Sequence, residues 1–170
     1  MKNYVFRWVF LPIILLALLS GCSKKSTEDP QTVVRPGTAA MKLMQDGQVL
    51  VDIKTLKSAA VGGGSYAVDI SSTDEKNALS LSINGEAVGN YPFINSSQTL
   101  TPGKANFTLY SFALPAAFAG TAGILIPESG EAVVKTATKS RVSGTFQGSG
   151  KNVKDGKTYT LEGTFDAPVF

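Results

Sequence analysis

From Ala39 to the end of the chain, apolar and polar residues alternate over short segments. The segments are separated by Gly, Pro, Asn and Asp, and no stretch after residue 21 keeps an apolar repeat of 3.6 for three turns. This pattern predicts strands over 39–44, 48–54, 65–72, 77–83, 86–94, 105–112, 122–127, 131–138, 140–150 and 157–167. The fold class expected is all-β: an antiparallel meander of about 8–10 strands, closed as a two-layer sandwich or a flattened barrel, with the sandwich preferred. Gly62-Gly63-Gly64 and Thr101-Pro102-Gly103 read as loops, and a short helical turn is expected within 113–120.

The alternation also sets registers. Asp155-Gly156 as a two-residue turn would place Phe146 opposite Phe165, Val142 opposite Val169, Gly148 opposite Gly163 and Gly144 opposite Ala167, all on one face. A four-residue loop, Thr73 to Lys76, would set Ile70 against Leu79, Val68 against Leu81 and Tyr66 against Ile83. Asn84-Gly85 would put Leu81 opposite Val88, and Ser129-Gly130 reads as a further, weaker hairpin turn. Gly144-Thr145-Phe146 and Gly163-Thr164-Phe165 look alike, yet they fall on two strands of one hairpin, so they are not a repeat of the fold.

The first 21 residues follow a different pattern. Lys2 and Arg7 precede an apolar run from Trp8 to Leu19 that ends on small residues. The run is 12 residues, short of the roughly 20 that span a bilayer core, and Pro12 interrupts it. Leu19-Ser20-Gly21-Cys22 resembles the lipobox of bacterial lipoproteins. That resemblance implies lipid transfer to the Cys22 thiol, recognition of Leu19, Ser20 and Gly21 by the signal peptidase, and cleavage before Cys22. The partition expected is a removed signal peptide over 1–21, a lipidated Cys22 with a disordered tether over 22–38, and one β domain over 39–170. Ser23 after Cys22 resembles the outer-membrane default of lipoprotein sorting. Glu28-Asp29 faintly resembles a surface-export signal, so the periplasmic and cell-surface orientations both stay open.

The C-terminal half carries a second resemblance. Arg141-Val142-Ser143-Gly144-Thr145-Phe146, followed by Gly163-Thr164-Phe165, is similar to the ending of a family of small uncharacterised Bacteroidota-type envelope lipoproteins, and Gly89-Asn90-Tyr91-Pro92-Phe93 sits where that family has a strand start. The motifs are structural, so the resemblance implies a β domain in the envelope and adds no chemistry.

Composition narrows the function. Cleavage before Cys22 would leave 149 of the 170 residues, with 14 of the 16 basic residues against all 13 acids, so the net charge of +3 belongs mostly to the signal. No nucleic-acid partner is expected from so balanced a chain. There is no histidine, and Cys22 is the only cysteine. Ser-His-Asp and Cys-His catalysis and His- or thiolate-ligated metal sites are excluded on those grounds. Catalytic, cofactor-binding and metal-ligating residues are expected to be none.

Other chemistry is weighed against plainer readings. Paired carboxylates for glycoside hydrolysis would come from the scattered acids Asp46, Asp52, Asp69, Asp74, Glu75, Glu86, Glu128, Glu131, Asp155, Glu162 and Asp166, most of them at turns or outward positions. Lys135 or Lys139 beside Ser140 is the nearest approach to a Ser-Lys dyad, which needs a desolvated lysine. Gly62-Gly63-Gly64-Ser65 lacks the Lys-Ser/Thr of a phosphate loop, and Asp155-Gly156 lacks the companion ligands of a calcium loop. Asn95-Ser96-Ser97 and Asn106-Phe107-Thr108 match a glycan-acceptor pattern and read as polar loop or strand. Lys135, Lys139, Arg141, Lys151, Lys154 and Lys157 crowd one segment and read first as solubilising strand residues, with anionic headgroups or an acidic glycan as the functional alternative. The function expected is a non-enzymatic envelope lipoprotein, membrane-attached through Cys22, whose β domain binds an envelope protein or glycan or serves a structural role. A lipocalin-like carrier and a carboxylate hydrolase are the alternatives.

Overall fold

The computed structural model describes residues 34–95 and 97–170. The expected signal peptide, Leu19, Ser20, Gly21, Cys22 and the expected tether up to residue 33 lie outside the described residues, as does Ser96 of the first glycan-acceptor pattern. The strands are β1 (Gly37–Gln45), β2 (Gln48–Val61), β3 (Tyr66–Ser71), β4 (Asn77–Ile83), β5 (Gly89–Pro92), β6 (Ala105–Ser111), β7 (Gly123–Ala137), β8 (Arg141–Asn152) and β9 (Thr158–Pro168). β1 begins at Gly37, two residues inside the segment expected as tether.

Every strand pair is antiparallel, in the order β5-β7-β6-β4-β3-β2-β1-β9-β8, and β8 returns to pair with β7. The sheet therefore closes: eight strands form a barrel, with β5 added on β7. The all-β meander is as expected, and its closure is the barrel rather than the preferred sandwich. β6 pairs with β7 at Gly123–Leu125, and β5 pairs with it farther along, at Glu131–Val134.

The alternation seen in the sequence becomes inside and outside. Met41, Leu43, Val68, Leu81, Phe107, Leu125, Phe146 and Phe165 are buried in one core cluster. Asp69, Gln147 and Glu162 face out from the same strands, and Lys57 faces out from β2. That is the reverse of a membrane-spanning barrel, which turns its apolar residues outward. An eight-stranded barrel is just wide enough for side chains to fill. Here Tyr159, Phe165 and a layer of fully buried Leu, Ile and Val side chains occupy that space.

The registers divide. β3 and β4 pair as expected, with Tyr66, Val68 and Ile70 opposite Ile83, Leu81 and Leu79. β8 and β9 keep the expected face but slip by two residues, so Phe146 is opposite Gly163 and Gly144 is opposite Phe165. Asn152 causes the slip. Its carboxamide oxygen accepts the Lys154 and Asp155 amides, and its own amide bonds to the Lys157 carbonyl. The loop therefore holds four residues instead of two.

Leu81 faces Phe107 rather than Val88, because β4 pairs with β6, and the chain after Asn84 leaves to form β5. Ser129-Gly130 turns nothing, and β7 runs straight through it with an irregularity between Pro127 and Ser129. Residues 113–120 are turns and bends, without the expected helical turn. β2 extends to Val61, beyond the expected end at 54, with Leu56, Ser58 and Ala60 buried in alternation.

One polar cluster fastens the start of β1. Arg141 bonds through Nε to the Asp166 carboxylate, and its other nitrogens reach the carbonyls of Arg35 and Pro36. Arg35 also pairs with Asp166. The Arg141 hydrogen bond holds the Asp166 carboxyl below its ordinary range; partial burial opposes this, and the Arg141 and Arg35 charges reinforce the lowering.

A carboxyl depressed on folding stabilises the fold above its unfolded value, near about 3.9, and that contribution is lost as pH falls through the folded value. Thermal unfolding of wild type should therefore lose more stability below about pH 4 than unfolding of Arg141→Met. Glu86, Asp74 and Glu128, also lowered, are common to both proteins and cancel in the difference. Parallel acid curves would show that the guanidinium does not act on Asp166.

Candidate binding surfaces of the barrel

The barrel has two unlike ends. β1 starts at one end, which also carries the 62–65 loop, the β7–β8 turn and the C-terminal residues. The 46–47, 72–76, 112–122 and 153–157 connections lie at the other. Val34, Val61, Val88 and Phe170 are exposed at the first end, and another exposed apolar group lies at the far end. Phe118 is 76% exposed and Val153 is 61% exposed, with Phe112 and Tyr110 beside them. Single exposed apolar residues are ordinary; a contiguous group marks a contact surface.

Strand order explains the group. Tyr110 of β6 is opposite Ile124 of β7, and the Val153 amide donates to the Ile124 carbonyl. The three side chains therefore form a row on the outer wall. The 112–122 segment folds over that row. It is held by Asn152, whose Nδ2 donates to the carbonyls of Pro115 and Ile124, and by Leu114, which is buried. Between wall and loop lies a groove of about 450 Å³ lined by Tyr110, Pro115, Phe118, Ile124, Val153 and Lys154, among others.

A second hollow, about 420 Å³, crosses the outer wall over β2, β1, β9, β8 and β7. Asp52, Lys42, Glu162 and Gln147 are successive cross-strand partners along it. This brings two of the candidate acids, Asp52 and Glu162, into one cleft. Each is ion-paired, Glu162 with Lys42 at 3.4 Å and Asp52 with Lys54 at 2.7 Å. Neither is buried.

The glycine loop does bind an anion, but an internal one. The Gly63 and Gly64 amides both donate to Glu86 Oε1 at 2.9 Å, and these two bonds hold the Glu86 carboxyl below its usual range. Successive backbone N–H groups form such nests. Here the carboxylate ties the 62–64 loop to the segment after β4.

The other candidates do not converge. Lys135, Lys139 and Ser140 are all exposed at the β7–β8 turn, without the burial a Ser-Lys dyad needs. The basic segment is divided: Lys135, Lys139 and Arg141 lie at one end, Lys154 and Lys157 at the other, and Lys151 pairs with Glu128 at 2.9 Å. Asp155 accepts from the Tyr159 hydroxyl and the Lys157 amide. Asp46 sits in the β1–β2 turn. Asn106 of the second acceptor pattern lies on β6, its Oδ1 buried without a partner. Among the described residues no three potential metal ligands come together.

The far-end groove had no sequence signal. Its aromatic residues belong to a segment without periodicity, and only the closure of the barrel brings them together. Compared with protein-family models, with curated proteins and with solved structures, the chain matches none.

Proposed function

We propose that this chain is a lipid-anchored lipoprotein of the outer membrane, attached through Cys22, whose barrel is a non-enzymatic binding module with its contact surface at the far end. The far-end group of Tyr110, Phe112, Phe118 and Val153 supports the binding role, because Tyr110, Phe118 and Val153 line one groove there. The lipobox-like Leu19-Ser20-Gly21-Cys22 supports the anchor. Acyl chains contribute about 0.8 kcal/mol per buried CH₂, and more than one chain suffices for stable attachment. The packed interior favours an outer-surface ligand over one carried in the lumen.

Fractionation of cells making wild type and Cys22→Ala tests the reading. Wild type should sediment with the outer membrane at the size of the cleaved chain, and Cys22→Ala should persist as uncleaved precursor lacking lipid. Normal processing and membrane attachment of Cys22→Ala would overturn the anchor.

A further inference from the structure

The far-end groove differs from an ordinary sticky patch in having a polar group at its edge. Its lining is apolar apart from Thr121, Lys154 and the Tyr110 hydroxyl, and the Thr121 hydroxyl already donates to the Phe118 carbonyl at 2.8 Å. Lys154 makes no ion pair among the described residues. Neighbouring polar groups are engaged elsewhere: Lys151 holds Glu128, Asp155 is turned to Tyr159, and Asn152 spends its carboxamide on the loop backbone. One ammonium group therefore stands unneutralised beside an apolar slot. The slot's volume of about 450 Å³ falls in the roughly 300–1,000 Å³ range of small-molecule sites, which combine an apolar lining with a few placed polar groups.

We propose that this groove binds a small amphiphilic carboxylate, with its apolar body on Tyr110, Ile124 and Phe118 and its carboxylate on Lys154. The proposal rests on the binding role given above and names the ligand chemistry of that same surface. Both loops that form the groove are pinned by one buried side chain, Asn152, so the aromatic wall and the Lys154 backbone are held in a fixed relation, with the ammonium on a flexible stem. The charge selects an anion over a neutral or cationic amphiphile, and the volume suits a single chain or ring.

The test uses the full-length protein in native membranes and a decanoate carrying a diazirine on its alkyl chain. Photolabelling should map to peptides containing residues 110–124 and 153–154, and excess decanoate should compete where decanol does not. Lys154→Glu and Phe118→Ser should each cut labelling by about ten-fold or more. Both residues are exposed in loops, so protease resistance of the barrel should be unchanged. Competition by decanol equal to that by decanoate, indifference to Lys154→Glu, or labelling confined to other peptides would overturn the proposal. If labelling fails while Phe118→Ser abolishes cross-linking of the barrel to an envelope partner, the ligand class falls and the binding role stands; failure of both removes the binding role.

Discussion

Phe165→Ala is expected to lower the free energy of unfolding by about 3–5 kcal/mol, against a total of roughly 5–15 kcal/mol for a domain. Phe165 is 2% exposed, and its ring lies over its cross-strand partner Gly144, with Cζ 2.9 Å from where a Cβ there would sit. Phe146 covers Gly163 in the same way. The two Gly-Thr-Phe segments are therefore a reciprocal pair, each aromatic ring filling the space left by the other strand's glycine. Removing one ring opens a cavity next to a residue that has no side chain to collapse into it. The melting temperature should fall by roughly 10–20 °C. Phe118→Ala, which removes the same ring from an exposed loop, should change stability by less than about 0.5 kcal/mol. Equal losses at the two positions would mean that the aromatic–glycine pairing does not support the barrel.

Gly163→Val should cost about 3 kcal/mol or more. A Cβ at this position would meet the Ala40 carbonyl oxygen and the Phe146 ring, closer than real contacts allow. Ala40 is on β1, so the collision falls on the β1–β9 seam. A similar collision awaits a side chain at Gly144, against the Val133 carbonyl across the β7–β8 seam. These glycines are required by proximity rather than by unusual torsion angles. Gly103→Ala makes the contrast: Gly103 has φ of +75° and nothing within 4 Å of a built Cβ, so that change should cost only about 1 kcal/mol. Denaturant unfolding of the two variants separates the steric cost from the torsional one.

The same dipeptide shows how far the sequence could be read. At Asp46-Gly47 both residues have positive φ, 50° and 78°, and Gln45 pairs with Gln48, as in a type I′ turn. At Asp155-Gly156 only the glycine does, because Asn152 upstream captures two amides and widens the loop. A turn motif read without its flanking side chain therefore gave the right face and the wrong partner. The β3–β4 register was legible because Ser72, Asp74 and Asn77 close that loop through their own local hydrogen bonds. The long β7 was not, because Gly130 with φ of 112° has the look of a turn while lying within a strand. The inward row was readable nearly throughout. The candidate groove was not, since Tyr110, Phe118 and Val153 meet only through the neighbour order of three strands.

The Arg141–Asp166 cluster has a mechanical consequence. β1 lies between β2 and β9 and is hydrogen-bonded along both edges. A pull on the chain at Val34 runs along the axis of β1, so it must slide the strand past two ladders at once instead of opening them rung by rung. Before either ladder feels the load, Arg141 must release the Arg35 and Pro36 carbonyls. A tension applied there is shared between both seams of the wall, and the barrel yields in shear, the stiffer of the two directions in which a sheet can be drawn apart.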